Sequence, residues 1–244
     1  MKSTPKILIE KSSSKKYIVK YTKEDFHTSS GVVKSKDLQA NKEVVVSSKG
    51  KEFFVLESRF TDLWESMQRG PQLLLPKDIG WILAKTGVNK ESKVVDAGGG
   101  SGSLCLFLAN VCKEVTVYEV NAEHHRVLLK NIPAFGFSNI KVKQEDIYKG
   151  IAEKELDLIT LDLPEPWKVT LPAEKALKNG GFIVVYAPQI NQCKQFIDSA
   201  KGTRIAIIET VELLERKWKI AGQIMRPEFE MLGHTGFLVR GRKM

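Results

Sequence analysis

The 244-residue sequence lacks most of the features that membrane, secreted and metal-dependent proteins need. Its three cysteines include no CxxC pair, so we predict no metal site and buried thiols in a reducing cytoplasm. No apolar run is long enough to cross a bilayer, and the first ten residues hold no apolar signal-peptide core. We therefore predict a cytoplasmic protein without membrane contact.

Acidic residues are outnumbered, and the formal net charge is +9. Residues 1–60 contain 13 Lys and Arg against 7 Asp and Glu, so most of the excess lies in the first quarter. A local basic excess favours a polyanionic partner such as a nucleic acid. A merely solvated basic face would give the same count, and charge alone does not separate the two interpretations.

Two regions of the chain differ in hydrophobic pattern. Short β-like runs separated by polar turns predict a small β domain over residues 1–62. These runs are Tyr17–Tyr21, Glu43–Val46 and Phe53–Leu56, followed by a short helix within Thr61–Arg69. Over residues 63–244 apolar strands alternate with helices, which predicts an α/β domain with a doubly wound, mostly parallel sheet.

The individual elements of this second domain follow from the same pattern. Predicted strands are Lys93–Asp96, Val115–Glu119, Ile140–Val142, Leu156–Leu161, Gly181–Tyr186, Arg204–Leu214 and Gly236–Arg240. Predicted helices are Ile79–Thr86, Ser103–Val111, Glu123–Asn131, Leu171–Leu177 and Ile190–Ala200.

A glycine-rich turn joins the first of these strands to the following helix. It runs from Asp96 through Gly98, Gly100, Ser101 and Gly102. Glycines let a backbone approach a ligand closely, and the carboxyl ends of parallel strands are where such ligands bind. The spacing is not GxGxxG, and no phosphate-binding lysine follows, so a dinucleotide or a nucleoside polyphosphate is a poor fit.

Acidic residues stand at four successive strand ends: Asp96, Glu119, Asp146 and Asp162. The second can accept hydrogen bonds from ribose hydroxyls, and the third can accept one from an adenine amino group. Carboxylates without a phosphate-binding group suit a cationic nucleoside such as S-adenosylmethionine and would repel a polyphosphate. A helix-capping role would explain any one of these acids as well as ligand binding does, but it does not explain four of them beside a glycine turn.

The fourth acid opens the motif Asp162-Leu163-Pro164-Glu165-Pro166-Trp167. Two prolines after a strand predict a rigid, exposed loop, and Trp167 offers a flat face on which a nucleobase can stack. Asp162 can hydrogen-bond the edge of that base. A structural proline turn with a packing tryptophan is the alternative interpretation.

Taken together, these motifs resemble the tRNA (adenine-N1)-methyltransferases that act on the T-loop, especially the archaeal members. The segment Arg69–Asp78 is similar to the R-x-x-Q…P-K-D segment of that family, Asp96–Gly102 to its cofactor loop and Asp162–Trp167 to its D-x-P-[DE]-P-W. Arg226-Pro227 and His234-Thr235 are similar to its C-terminal pairs. Leu75 departs from the Tyr or His that is common there.

The resemblance implies a class I, Rossmann-like methyltransferase that uses S-adenosylmethionine to methylate adenine N1 at tRNA positions 57 and 58. It also implies a homotetramer and a catalytic Asp162. The implied cofactor-binding residues are Gln72, Leu73, Leu74, Asp96, Gly98, Gly100, Ser101, Gly102, Ser103, Glu119, Asp146 and Asp162. The implied substrate-binding residues are Pro164, Trp167, Arg226 and His234.

Two other functions remain open from the residues. One is a methyltransferase of the same fold that acts on a protein carboxylate or a small molecule. The other is a non-catalytic tRNA-binding subunit, although such partner subunits lose the cofactor motif that this chain keeps. Arg226 could bind tRNA phosphate or brace the Asp162 loop, and His234 could be structural.

Overall fold

The computed structural model describes residues 5–40, 42–70 and 73–244. The chain divides into two compact units, Met1–Met67 and Gln68–Met244. None of the helices in the described ranges is long and apolar enough to span a membrane.

The first unit is a small antiparallel sheet with short helices, which confirms the predicted β domain. Its elements are β1 (Lys6–Glu10), β2 (Lys16–Val19), β3 (Phe26–Thr28), β4 (Gly31–Val33), α1 (Ser35–Gln39), β5 (Val44–Val46), β6 (Glu52–Glu57) and α2 (Phe60–Glu65). The main sheet has the order β2-β1-β6-β5 and packs Leu8, Val19 and Phe53 into one core. Lys16 on β2 binds Asp62 and Glu65, so α2 belongs to this unit.

The second unit is built on a seven-stranded sheet of order β12-β15-β11-β10-β7-β8-β9. Its helices are α3 (Pro76–Thr86), α4 (Ser103–Val111), α5 (Ala122–Asn131), α6 (Thr170–Ala176) and α7 (Ile190–Ala200). Its strands are β7 (Lys93–Ala97), β8 (Glu114–Tyr118), β9 (Ile140–Lys143), β10 (Leu156–Asp162), β11 (Leu177–Ala187), β12 (Ile205–Glu212), β13 (Trp218–Ala221), β14 (Ile224–Pro227) and β15 (Phe237–Lys243). Strands β7 to β11 are parallel, and β15 is antiparallel to both neighbours, so the predicted mostly parallel sheet is confirmed.

Two local predictions need correction, and one hairpin was not predicted. Helix α3 begins three residues earlier than predicted, because Pro76 occupies the first helical turn, where a missing N–H costs nothing. Leu177 opens β11 rather than ending a helix, since it pairs with Leu156 on β10. The β13–β14 hairpin was not predicted, although Gly222 with φ +58° at its turn is the signal that marks it.

The position of the candidate site follows from the strand order. Strand β10 pairs with β7, although β8 and β9 come between them in the chain. The register places Thr160 opposite Asp96 and Leu161 opposite Ala97. The chain therefore changes direction across the sheet between β7 and β10, and a crevice opens at the carboxyl ends of these two strands.

Candidate functional site

A cavity of about 390 Å³ opens at this crevice. It is lined by the turn after β7 and by the residues that follow β8, β9 and β10. All four acids predicted from the sequence reach it: Asp96, Glu119, Asp146 and Asp162. The strand order therefore brings together side chains that are spread over 67 positions of the chain.

The turn after β7 packs against β10 at Gly98. This residue has φ +85°, and an added Cβ would lie 2.1 Å from the carbonyl oxygen of Asp162. A side chain at this position would therefore separate the turn from the strand end that carries Asp162. At Gly100, by contrast, the nearest atom to an added Cβ is 3.9 Å away, so this part of the turn faces open space.

Glu119 holds the glycine turn from the neighbouring strand. Its Oε2 accepts a hydrogen bond from the Gly100 N–H at 2.8 Å, and its Oε1 accepts one from Asn121 N–H at 2.7 Å. The side chain is buried and lines the cavity. Glu119 thus orders the turn and keeps lone pairs on both oxygens for a ligand.

Asp96 and Asp162 lie at adjacent strand ends in a poorly solvated environment. Burial raises the pKa of Asp96 to about 7, the hydrogen bond from the Thr160 hydroxyl at 2.6 Å opposes this, and the charges of Asp162 and Glu119 add to it. Burial and the charge of Glu119 raise the pKa of Asp162 to about 7 as well. A cationic ligand would relieve this repulsion and favour the ionised forms.

Asp146 both caps a short helix and faces the cavity. Its carboxylate accepts the Tyr148 N–H at 2.9 Å, at the start of the 3₁₀ turn Ile147–Lys149. The capping and ligand-binding interpretations are therefore compatible for this acid. Tyr148 itself lines the cavity, and its hydroxyl accepts the Glu165 N–H at 3.1 Å, which ties the Asp146 loop to the Asp162 loop.

Sequence analysis missed two lining aromatics, Tyr118 and Tyr148. The Tyr118 hydroxyl donates to Glu153 at 2.6 Å and accepts from Lys143 at 3.0 Å. Its place at the end of β8, directly before Glu119, was a usable signal. The sequence held no such signal for Tyr148, because only the folding of its loop turns the ring towards the cavity.

The remaining predicted cofactor residues fall into three groups. Leu74, Ser101 and Ser103 line the cavity, as does Pro164, which was predicted to bind substrate. Leu73 does not belong to the lining, and Gly102 instead forms the N-cap of α4 with φ +98°. Gln72 lies outside the described residues.

Three predicted substrate-binding residues do not line this cavity in the described part of the chain: Trp167, Arg226 and His234. Trp167 lies half-buried in the 3₁₀ turn Pro166–Val169, so the expected exposed loop is wrong for this half of the motif. The guanidinium of Arg226 stacks on Phe229 at 3.8 Å and donates to the Pro227 carbonyl. Their roles in binding substrate stay predictions.

His234 has two protein partners. Its Nδ1 lies 2.5 Å from a Glu212 oxygen, and its Nε2 lies 2.8 Å from the carbonyl oxygen of Pro188. Both contacts raise the pKa of His234, that with Glu212 more strongly. The histidine therefore joins β12 to the loop after β11, which favours the structural interpretation.

The lining fits a cationic nucleoside methyl donor better than a phosphate compound. Among the described lining residues there are acids and no Lys or Arg, so a polyphosphate would be repelled. The Ser101 hydroxyl is buried at the cavity wall without a hydrogen-bond partner in the protein. Such an orphaned donor beside the open backbone of Gly100 is available to a polar ligand group.

Comparison with known families and proteins gives consistent matches. The family described as tRNA methyltransferase complex GCD14 subunit matches residues 53–226. The tRNA (adenine(57)-N(1)/adenine(58)-N(1))-methyltransferase TrmI of Methanocaldococcus jannaschii is 34% identical over 97% of this chain and 94% of its own length. The tRNA (adenine(58)-N(1))-methyltransferase TrmI of Thermus thermophilus is 31% identical over 82% of this chain and 80% of its own.

Two solved structures share the fold over the whole chain. A SAM-dependent O-methyltransferase from Thermotoga maritima superposes with a TM-score of 0.91 at 26% identity, covering 94% of that chain. The tRNA (m1A58) methyltransferase TrmI from Aquifex aeolicus superposes with a TM-score of 0.83 at 27% identity, covering 98% of that chain. Both superpositions cover 100% of the present chain.

Proposed function

The chain belongs to the family of the tRNA methyltransferase complex GCD14 subunit, and we propose that it methylates adenine N1 in the T-loop of tRNA with S-adenosylmethionine as donor. The observation that carries the proposal is the position of Asp162, beside the glycine turn and at the edge of an acidic cavity. Position 58 is the expected target. Position 57 is a further target, since the M. jannaschii relative is named for both.

In this proposal the donor is held by the four acids and the glycine turn. Glu119 would accept hydrogen bonds from the ribose hydroxyls, and Asp146 would accept one from the adenine amino group. Gly98, Gly100 and Ser101 would offer backbone and hydroxyl groups, and Ser103 and Leu74 would lie at the wall. When bound, S-adenosylmethionine supplies the methyl group for an in-line displacement by adenine N1.

Asp162 is the residue of the protein that acts on the methyl acceptor, the adenine base. Neutral adenine N1 has a lone pair, so no base is needed before attack. Methylation leaves a positive charge on the base, and a carboxylate hydrogen-bonded to the 6-amino group stabilises that charge as it develops. Asp162 then takes up the amino proton. Pro164 borders this position, and Trp167 is proposed to contact the flipped base from the same loop.

The experiment that tests this function uses purified protein, labelled S-adenosylmethionine and unmodified tRNA transcript, followed by nucleoside analysis. Label in 1-methyladenosine, lost when adenine 58 of the transcript is replaced by guanine, is the expected result. A second transcript, in which adenine 57 is replaced, measures the fraction of the label that position 57 receives. Donor binding without label in tRNA would point instead to another methyl acceptor, and tRNA binding without donor binding to a non-catalytic subunit.

The rate is expected to depend on pH through Asp162 and Asp96, since the pKa of each carboxyl is raised to about 7. The ionised forms bind the cationic donor and accept the amino hydrogen bond, so kcat/KM for the donor should rise at least about tenfold per pH unit below pH 7 and level off above it. Bound S-adenosylmethionine carries a positive charge and lowers the pKa of Asp162. The rise of kcat with pH should therefore occur at lower pH than the rise of kcat/KM. Initial rates from pH 5.5 to 9 check this, and a flat kcat/KM between pH 5.5 and 7 would contradict it.

We propose that the basic first unit binds the phosphate backbone of the tRNA, since proteins recognise folded RNA largely through its shape and its phosphates. Lys20 and Lys23 are exposed there. Replacing both by Glu should raise KM for tRNA about tenfold at moderate salt and leave KM for the donor unchanged. The matched control replaces Lys194 on α7 and Lys201, the residue directly after this helix, by Glu, which changes the net charge equally. Equal losses from both pairs would argue for a general charge effect.

The β13–β14 hairpin supports a homo-oligomer, and the family resemblance implies a tetramer. Ile220 and Met225 pair across the hairpin and are 74% and 72% exposed, with Phe229 85% exposed beyond it. An isolated two-stranded hairpin is marginally stable in water, so burial against another copy would stabilise it. Light scattering of the wild-type protein should give the mass of four chains. The measured mass should fall in the double variant Ile220→Lys, Met225→Lys. An unchanged mass would exclude the hairpin as the interface.

The reaction is proposed to take place in the cytoplasm. The three cysteines are buried free thiols, as expected in a reducing compartment.

A further inference from the structure

Asn131, the last residue of α5, makes three hydrogen bonds to backbone groups. Its side-chain oxygen accepts the Gln68 N–H at 3.0 Å. Its side-chain nitrogen donates to the Gln68 carbonyl at 2.9 Å and to the Ser101 carbonyl at 2.8 Å. Asn131 is 6% exposed, its bond to Ser101 is buried, and its two bonds to Gln68 are partly buried.

The two segments that Asn131 joins form two walls of the acidic cavity. Ser101 lies in the glycine turn and lines the cavity. Gly70 lines it from the other segment, two residues after Gln68. A Cβ added at Gly70 would lie 3.7 Å from the Ser101 Cβ, so the two walls are close enough that a single added methyl group would be in van der Waals contact across them.

Only a primary amide of this length satisfies the arrangement. The site needs one acceptor facing an N–H and two donors facing carbonyls, and Asn supplies both from a single planar group. An ionised Asp at position 131 would still accept the Gln68 N–H with one oxygen. Its second oxygen would face the Gln68 and Ser101 carbonyls and could not donate to them. Unpaired buried carbonyls are costly, so the segments would move apart to reach water.

We propose that Asn131 is a positioning residue for the methyl donor, holding the Gln68–Gly70 segment against the glycine turn so that both walls contact the donor together. Asn131 is not among the residues that line the cavity, so it acts through Gln68 and Ser101. The proposal rests on the proposed use of S-adenosylmethionine.

The test compares Asn131→Asp with Asn139→Asp. Asn139 makes the same type of contact elsewhere, since its side-chain nitrogen donates to the Ala109 carbonyl at 2.8 Å and the Cys112 carbonyl at 2.9 Å. It does not line the cavity. Both variants should lower Tm. Calorimetric titration should show Kd for S-adenosylmethionine raised at least tenfold by Asn131→Asp and changed less than twofold by Asn139→Asp.

Kinetics should separate positioning from general damage. Asn131→Asp should raise KM for the donor more than it lowers kcat, with KM for tRNA unchanged. Donor affinity that is unaltered in Asn131→Asp, or that falls equally in both variants, would overturn the proposal. A wild-type protein that does not bind the donor would instead refute the proposed function.

Hydrogen exchange on the wild-type protein provides a second measurement that does not depend on the variant folding. Saturating S-adenosylmethionine should slow exchange of the Gln68 amide together with the amides of the glycine turn. Protection of the turn without protection of Gln68 would also overturn the proposal.

Discussion

Replacing Asp162 by Ala is expected to lower kcat for tRNA methylation by about 10²–10³-fold, which is the loss typical of removing a preorganised group that stabilises developing charge. Asp162 is the acid at the end of β10, beside the glycine turn. Without its carboxylate the methylated base has no acceptor for its 6-amino hydrogen. The affinity for tRNA should change less than threefold, because backbone contacts dominate binding of nucleic acids.

Two further variants show whether the loss is chemical. Asp162→Asn keeps the shape of the side chain but removes its charge, so it should stay within about tenfold of Asp162→Ala. Asp198→Ala removes a partly exposed acid on α7 that binds Lys194 and Lys201, and it should retain wild-type rates. Single-turnover rates at saturating donor and tRNA measure all three. Full activity in Asp162→Asn would exclude a role for the negative charge.

Gly98→Ala is expected to abolish donor binding and to destabilise the second unit by about 3 kcal/mol or more. The backbone at Gly98 has φ +85°, where an L side chain is strained, and the new Cβ would lie 2.1 Å from the Asp162 carbonyl oxygen. The turn must shift to relieve this overlap, and the N–H of Gly100 then loses its fixed position over Glu119.

Gly80→Ala is the matched control for this substitution. Gly80 lies within α3, and an added Cβ there would meet nothing within 4 Å. Alanine favours helix more than glycine does, so this variant should be about 1 kcal/mol more stable than wild type, with unchanged donor affinity. Thermal unfolding with and without S-adenosylmethionine measures both. A donor-dependent rise in Tm for Gly98→Ala would contradict the expected loss of the site.

The pattern of residues along the chain was enough to predict the two regions, the alternation of strands and helices, and the four strand-end acids. Each of these depends on local information: apolar runs of strand length, glycines at a turn and an acid where a strand stops. The approximate place of Asp96, Glu119, Asp146 and Asp162 at one edge follows in turn, because the carboxyl ends of parallel strands lie together.

The neighbours of those acids follow from the order of the strands in the sheet and could not be predicted from local pattern. The insertion of β10 beside β7 places Asp162 against Gly98 and raises the pKa values of Asp96 and Asp162 to about 7, since both carboxyls then lie in one poorly solvated crevice. Trp167 looked exposed in a proline loop but is half-buried in a short turn, because Pro166 and Val169 on either side of it are buried.

Asn131 shows the same limit most clearly. In the sequence it is an ordinary polar residue at the end of a helix, 63 positions from Gln68 and 30 from Ser101. Its function depends on three backbone groups that converge only after the sheet has formed. Local sequence patterns specify most of the elements and the chemical groups at their ends, the β13–β14 hairpin excepted. Which of those groups come into contact depends on the folded chain, because hydrogen bonds and electrostatic repulsion act over a few ångströms in space and not along the chain.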